Sequence, residues 1–364
     1  MLGKKPSLYM QFMEKSIRYI VMDSQNKSLL EKNEIVFDSA IIQEGKVVNK
    51  QLLETRLEVL VKEKKWKKAP VSIMLPDDLV TIRNEEIPAQ LNRAEVDEYL
   101  NLHINESIRL PFEDAKIDYE LTNQTEDNQT VFLVAYPSEQ ISALKEILEK
   151  AKLKPVVADI SSLSLYRLVN GDESISTESD DHLLLLQWNP TDYSMTVFND
   201  DIPQFNRHTR SQRLADMWRL TETGEYEWKG SEEAQEDIMD EQINMLERFL
   251  EFYQYTVMDG ERSISHIVLS GYYPDLEHVK AALIDRLTLP IHTLTLPDDI
   301  GPTDAALLGL TLKKKAKDVK KKDKAKKAKK VKKAQKFSKF KKKKKKNEEG
   351  VNVPENQEEA VVND

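Results

Sequence analysis

The sequence predicts an α/β protein in which one supersecondary theme occurs twice, followed by a low-complexity tail. Three observations carry that expectation. Each half runs from a hairpin of strands through a further strand to a helix, an order that packs helices on a mixed sheet. In the second half, the stretch HIVLSGYYPDLEHV (His266 to Val279) passes from the apolar run Ile267, Val268, Leu269 through Ser270-Gly271 into helical apolar spacing at Leu276, Val279, Ala282 and Leu283. After Leu312 the charge changes sign: Lys313 to Asn347 holds 22 basic and 2 acidic residues, and Glu348 to Asp364 holds 6 acidic residues and no basic one. With −9 overall, residues 1–312 therefore carry −23.

Taken in order, Ser7 to Met13 and Ser16 to Val21 read as paired strands about a Glu14-Lys15 turn, and Glu34 to Ile42 as a third strand closed by Glu44-Gly45. Asn49 stands as the cap of a helix with Leu52, Leu53, Leu57, Leu60 and Val61 on one side. Val71 to Leu75 is an apolar strand stopped by Pro76. A smaller unit follows, with a strand at Ile82 to Ile87. Asn92 and Glu95 then form a capping box before a helix that buries Val96, Tyr99, Leu100, His103 and Ile104. His103 reads as a packing residue rather than a ligand. After a polar turn at Asn123 to Asn128 come the strand Val131 to Ala135 and a helix capped by Ser138. The strand Lys154 to Ile160 and the helix Leu163 to Val169 close the first half, and the acidic, Ser-rich Gly171 to Asp181 reads as a boundary.

The second half opens with strands at Leu183 to Leu186, Ser194 to Phe198 and Gln204 to His208, with a turn at Asn199-Asp200-Asp201. Residues 211–231 give no clear period. A long helix from about Glu232 to Val257 presents Ile238, Met245, Leu246, Phe249, Phe252 and Tyr253 to a core, with Gly260 beyond its end. A strand at Pro290 to Leu294 and a helix at Asp304 to Leu310 finish the body.

Composition narrows the chemistry. A chain of 364 residues that is 40% hydrophobic can hold two cores. Neither a membrane span nor a signal peptide is expected, because no apolar run approaches the required length. The absence of cysteine excludes disulfides and thiolate chemistry, and the six histidines are too scattered for a zinc motif. Adjacent acids at Glu113-Asp114 and Asp200-Asp201 suit a solvated face and a turn. The strand–glycine–helix junction at Gly271 is a geometry that can cradle phosphate. Tyr272, Tyr273 and Pro274 oppose that use: two rings and a residue without N–H stand where more glycine is needed.

The wording of five stretches then carries a family. APVSIMLPDDLVTIRNEEIP, AEVDEYLNLHINESIRLPFEDAKIDYEL, VFLVAYPSEQISALKEILEKAKLKPVVADISSLSLYRL, LERFLEFYQY and SHIVLSGYYPDL together resemble PilM, the actin-like family of type IV pilus assembly. The resemblance implies a two-lobed, ribonuclease H-like actin fold with a first lobe at 1–170 and an inserted subdomain at about 80–155. A second lobe at 182–312 and a disordered tail at 313–364 complete it. Family members bind ATP with Mg²⁺ between the lobes and hold the cytoplasmic tail of the membrane protein PilN beside the inserted subdomain. By this resemblance Pro111 and Phe112 line the partner groove, and the protein sits at the inner face of the cytoplasmic membrane.

Against the family pattern, the nucleotide motifs are degraded. Asp-x-Gly becomes Gln11-Phe12-Met13 in the first half and Gln187-Trp188-Asn189 in the second, and the adenosine-side Ser-Gly-Gly becomes Ser270-Gly271-Tyr272. An amide cannot supply the charge a hard dication demands. Gln11, Met13, Ser16, Gln187, Asn189, Ser270 and Gly271 are thus vestigial positions. No cofactor and no ATPase turnover are expected, and the function implied is a pilus, competence or secretion scaffold that docks a PilN-like tail. The rival functions are an ATP-using actin-fold enzyme, a filament former resembling FtsA, and the cytoplasmic part of a type II secretion platform protein. Trp188 is either core or a filler of the vacated phosphate space. In the tail, Val319, Ala328, Val331, Ala334, Phe337 and Phe340 recur amid lysines such as Lys332 and Lys333. That pattern suits folding on an anionic membrane, with nucleic acid as the competing use of the charge and a merely solvated tail as the bland one.

Overall fold

A computed structural model describes residues 5–25, 27–104 and 106–313. The basic stretch from residue 314 onward, including Lys332, Lys333, Phe337 and Phe340, lies outside the described residues.

The first half begins with the expected hairpin, β1 (Ser7–Phe12) and β2 (Ser16–Met22). The third strand, β3 (Leu29–Val36), starts and ends earlier than the Glu34 to Ile42 run. It is an edge strand whose charges are paired rather than alternating with apolar residues: Glu31 with Lys64, Lys32 with Asp304 and Glu34 with Arg18. The apolar residues that follow form a minimal hairpin instead, β4 (Ile42–Gln43) and β5 (Lys46–Val47), turned by Glu44 and Gly45 at positive φ.

Helix α1 (Lys50–Glu63) starts at Asn49, whose side chain accepts from the Leu52 N–H, and buries Leu53, Leu57 and Val61. Strand β6 (Pro70–Met74) pairs parallel with β1. The chain then leaves the sheet to build β7 (Thr81–Pro88), α2 (Arg93–His103), β8 (Ala115–Gln124) and β9 (Asn128–Pro137). These strands form a separate sheet in the order β7-β9-β8, with its own core of Ile87, Val96, Leu100, Ile108, Val131 and Leu133. The Asn92/Glu95 capping box is present, and His103 stacks on Tyr99 at 3.9 Å.

Helix α3 (Ser138–Lys150) departs from expectation in one detail: Ser138 is its first residue, and Pro137 occupies the cap position without a side-chain bond. Strand β10 (Lys154–Asp159) and α4 (Ser161–Val169) complete the half.

The second half holds β11 (Leu183–Trp188), β12 (Asp192–Asn199) and β13 (Ile202–Arg210), with Asp200 and Asp201 both at positive φ in the expected turn. The aperiodic stretch contains α5 (Gln212–Met217) and a short hairpin, β14 (Trp218–Leu220) and β15 (Tyr226–Trp228). Edge-on contacts of Trp218 with Tyr226, Trp228 and Tyr273 hold it, a packing mode that leaves no period in sequence. Helix α6 (Glu232–Phe252) passes into a π turn at Tyr253–Val257. That wider turn buries Tyr253 but leaves Phe252 38% exposed, and Met245 is 36% exposed, so neither belongs to the core as expected. The half ends with β16 (His266–Ser270), α7 (Leu276–Arg286), β17 (Ile291–Thr293) and α8 (Ala305–Thr311).

The two large sheets have the same topology. One is ordered β10-β6-β1-β2-β3 and the other β13-β12-β11-β16-β17. In each, the first strand pairs antiparallel with a meander on one side and parallel with later strands on the other. The closing helices are exchanged between them. From α4, Leu165 and Val169 pack with Leu183, Leu185, Phe198 and Val268 of the second sheet. From α8, Leu307 and Leu310 pack with Ile20, Met22 and Met74 of the first. The helices meet at Gly309, where an added Cβ would lie 2.0 Å from the Ser164 carbonyl oxygen.

Gly309→Ala should therefore cost about 1–3 kcal/mol by overpacking in urea denaturation. Gly171→Ala, where a Cβ meets nothing closer than 3.6 Å, should stay within about 0.5 kcal/mol.

Candidate functional site

Gln11 is the last residue but one of β1, beside Met74 of β6, and Gln187 the last but one of β11, beside Ser270 of β16. The carboxyl ends of parallel strands are where open α/β sheets place ligands, and here the two such ends share one cleft. Gln11, Met13, Gln187, Asn189, Ser270 and Gly271 all line it. Ser16 does not: it is fully buried, and its hydroxyl donates to Glu34 at 2.6 Å. Trp188 is 2% exposed within the core of the second half, so it fills no vacated phosphate space.

The amides are built into the protein's own bonding. Gln187 donates through Nε2 to the Ser161 hydroxyl at 2.9 Å, and Ser161 donates to Asp77 at 2.6 Å. One chain of donors thus links β11, α4 and the segment after β6. Asn189 accepts the Tyr272 N–H at 3.1 Å and donates to Asp192 at 2.8 Å. Gly271, at φ +124°, is required by backbone: a Cβ there would stand 2.1 Å from the Trp188 oxygen.

Charged residues that the motif comparison did not single out complete the walls. Asp192 accepts from Thr191 at 3.0 Å and pairs with His208 at 3.4 Å. Burial opposes charge on His208, but the hydrogen bond and charge of Asp192, with Asp77 and Asp78 beyond, raise it to about 9. Burial likewise works against the Asp192 carboxylate, and His208, Asn189 and Thr191 outweigh it, so its pKa is lowered. Asp77 moves the other way, to about 6, because burial dominates over the opposing His208 charge and Ser161 bond. Glu14 is paired with Arg210 across the cleft. Arg18 bridges the halves as well: it binds Glu34 at 2.9 Å, donates to the Thr303 carbonyl at 3.0 Å, and stands over the Tyr272 ring at 5.4 Å.

Asp77 and Asp78 were findable, since they follow the strand-stopping Pro76 at the end of a parallel strand. Asp192, His208 and Arg210 meet only through the β12–β13 register.

Several acids of the cleft are tied into the protein's own bonding. Asp77, Asp192 and Glu14 are each engaged by a protein donor, and among the described residues no group of three or more His, Asp or Glu is arranged to hold a metal ion. The free volume is about 90 Å³, against roughly 300–1,000 Å³ for small-molecule pockets.

A second groove lies where β7 meets β13. Its cavity of about 370 Å³ is lined by Arg83, Arg109, Leu110, Pro111 and Asn206, among others. Pro111 is thus at a surface groove, whereas its neighbour Phe112 packs against the core of the small sheet.

Comparison with known proteins follows from this geometry. The sequence matches the family described as type IV pilus assembly protein PilM over residues 11–211. A solved PilM-PilN type IV pilus biogenesis complex is similar at a TM-score of 0.66 and 20% identity, covering 84% of this chain and 97% of that one. The cytoplasmic domain of EpsL, an inner membrane component of the type II secretion system of Vibrio cholerae, gives a TM-score of 0.45 and 12% identity over 85% and 96% of the two chains. MreB 5 of Spiroplasma citri bound to AMPPNP gives 0.44 and 10% over 88% and 98%. No curated protein matches by sequence. The architecture is the two-lobed actin-like fold.

The cleft's ion pair has a pH signature. His208 has a folded pKa of about 9 against an ordinary 6.5, so its stabilisation is complete below pH 6.5 and fades as pH rises through about 9. Thermal unfolding should show the wild type losing its advantage over His208→Gln across that window, and a constant gap would contradict the pairing.

Proposed function

The chain belongs to the type IV pilus assembly protein PilM family, and from that premise we propose that it is an actin-like scaffold rather than an ATPase. It docks the short cytoplasmic tail of a PilN-like membrane protein. The observation that carries the first part is Gln187. Where a metal-binding actin-like site needs a free carboxylate, this chain has an amide whose N–H is already given to Ser161. The rival reading, an ATP-using actin-fold enzyme, asks that amide for a charge it does not have. The Tyr272 ring, fixed between Arg18 and Tyr226, supports the same reading.

Partner docking rests on the family and on the small sheet between β6 and α3, which adds an exposed face to the first lobe. Among the described residues no helix is long and apolar enough to cross a membrane, so attachment beneath a pilus platform falls to partners and to the Lys-rich stretch. Each lysine near an anionic leaflet adds about 1 kcal/mol, and nucleic acid is the competing ligand of the same charge.

Isothermal titration of the full chain with ATP should give no Mg²⁺-dependent binding in the micromolar range, while a PilN-like tail peptide retains the protein on beads. Magnesium-dependent micromolar binding would overturn the pseudo-ATPase reading. In flotation with anionic vesicles, truncation after Leu312 should abolish co-migration. Unchanged flotation would remove the membrane role of the tail.

A further inference from the structure

Helix α6 and the π turn that follows it leave a stripe of large side chains uncovered. Met245 is 36% exposed, Phe252 38% and Tyr255 66%, although such residues are ordinarily drawn into a core. Two helical turns separate Met245 from Phe252, so both stand on one face of α6. The π turn then leaves Tyr255 in solvent. Its Met258 N–H donates to the Tyr253 carbonyl, five residues back, at 3.0 Å, where an α-helix would reach back four. Such wide turns recur at functional sites. The stripe is also held in place from below. Phe252 stands edge-on to Phe205 of β13 at 5.7 Å, and the Met245 Sδ accepts the Tyr193 hydroxyl at 3.2 Å. Met245, Phe252 and Tyr255 line neither the cleft nor the groove where β7 meets β13.

The charge beside the stripe is one-sided. From Glu232 to Glu261 there are 10 acidic residues and one basic residue, Arg248. Part of that charge is answered within the protein, Glu241 by Arg213 and Glu247 by Arg286. Glu251, Asp259 and Glu261 are exposed and form no ion pair among the described residues. We propose that this face docks an amphipathic basic helix of a partner protein. The apolar side of that helix lies on Met245, Phe252 and Tyr255, and its lysines or arginines meet Glu251, Asp259 and Glu261. Rings supported on one edge make effective anchors, and methionine adapts to varied apolar shapes. Charge complementarity chooses the occupant. Uncommitted carboxylates beside an apolar stripe attract a cationic helix and turn away an anionic membrane or a nucleic acid. A second copy of this chain would bring the same excess of acid to the contact. The face lies apart from the inserted subdomain, so its occupancy does not depend on the scaffold reading.

The test uses the full chain and a fluorescein-labelled helical peptide of leucine and lysine, patterned so that the leucines share one face. Its twin carries glutamate in place of lysine. Fluorescence anisotropy should show the lysine peptide bound and the twin not, with affinity that falls as salt is added. Phe252→Ser with Tyr255→Ser leaves the net charge untouched, so it separates docking on the stripe from general attraction to an acidic body. That variant should bind the lysine peptide about tenfold or more weakly. Glu251→Lys with Asp259→Lys should weaken it as well, most strongly at low salt. All four side chains are exposed, and circular dichroism confirms that both variants fold. Equal binding by wild type and the serine variant would overturn the assignment. Binding seen only when the chain is cut after Leu312 would give the face to the protein's own Lys-rich stretch. Self-association in sedimentation that the serine variant loses would give it to a second copy. Either result overturns the partner helix.

Discussion

The close approach of α4 and α8 is the constraint from which the rest of the molecule follows. Each half ends in a helix that finds its apolar partners on the other half's sheet, and the two helices cross where only glycine fits, Gly309 against the Ser164 carbonyl. The lobes are therefore interlocked rather than merely apposed, and their sheets present the ends of β1 and β11 to one cleft. Asp159, almost wholly buried at the end of β10, is held by Arg167 and Ser164 of α4 and by Lys313 just past α8. Burial of that carboxylate is tolerable because two cations and a hydroxyl satisfy it.

Within that frame the side chains of the cleft bond to one another. Positions that face nucleotide in the actin-like pattern face the protein's own groups: Gln187 serves Ser161, Asn189 closes the β11–β12 turn and receives Tyr272, and Gly271 admits the Trp188 backbone. Three acids of the cleft, Asp77, Asp192 and Glu14, are matched by a hydroxyl, an imidazolium and a guanidinium. Such a cleft ties the two lobes to each other through the protein's own side chains.

Much of the fold was legible because it is local. The hairpin at Glu14-Lys15, the Asn92/Glu95 box, the Asp200-Asp201 turn and the strand–glycine–helix junction at Gly271 each depend on a few adjacent residues. Of the seven positions matched to the family's nucleotide motifs, six line one cleft, and Ser16 is instead a buried partner of Glu34. What stayed hidden is non-local. The His208–Asp192 pair and the Glu14–Arg210 bridge come from different elements, and their spacing in sequence carries no period. Likewise β3 reads poorly because its charged side chains pair with Lys64 at the end of α1, Arg18 of β2 and the Asp304 carboxylate just before α8, rather than alternating with a core. Residues 211–231 are organised by edge-on rings about Trp218.

The direction of donation along Gln187, Ser161 and Asp77 has an evolutionary consequence. A hydroxyl has a single proton, and Ser161 gives it to Asp77, so it meets position 187 as an acceptor. An ionised acid placed there would confront a second carboxylate across one oxygen, in a buried place where like charges repel strongly. A carboxylate could thus enter position 187 only with a compensating change at Ser161 or Asp77, so the three side chains behave as one unit.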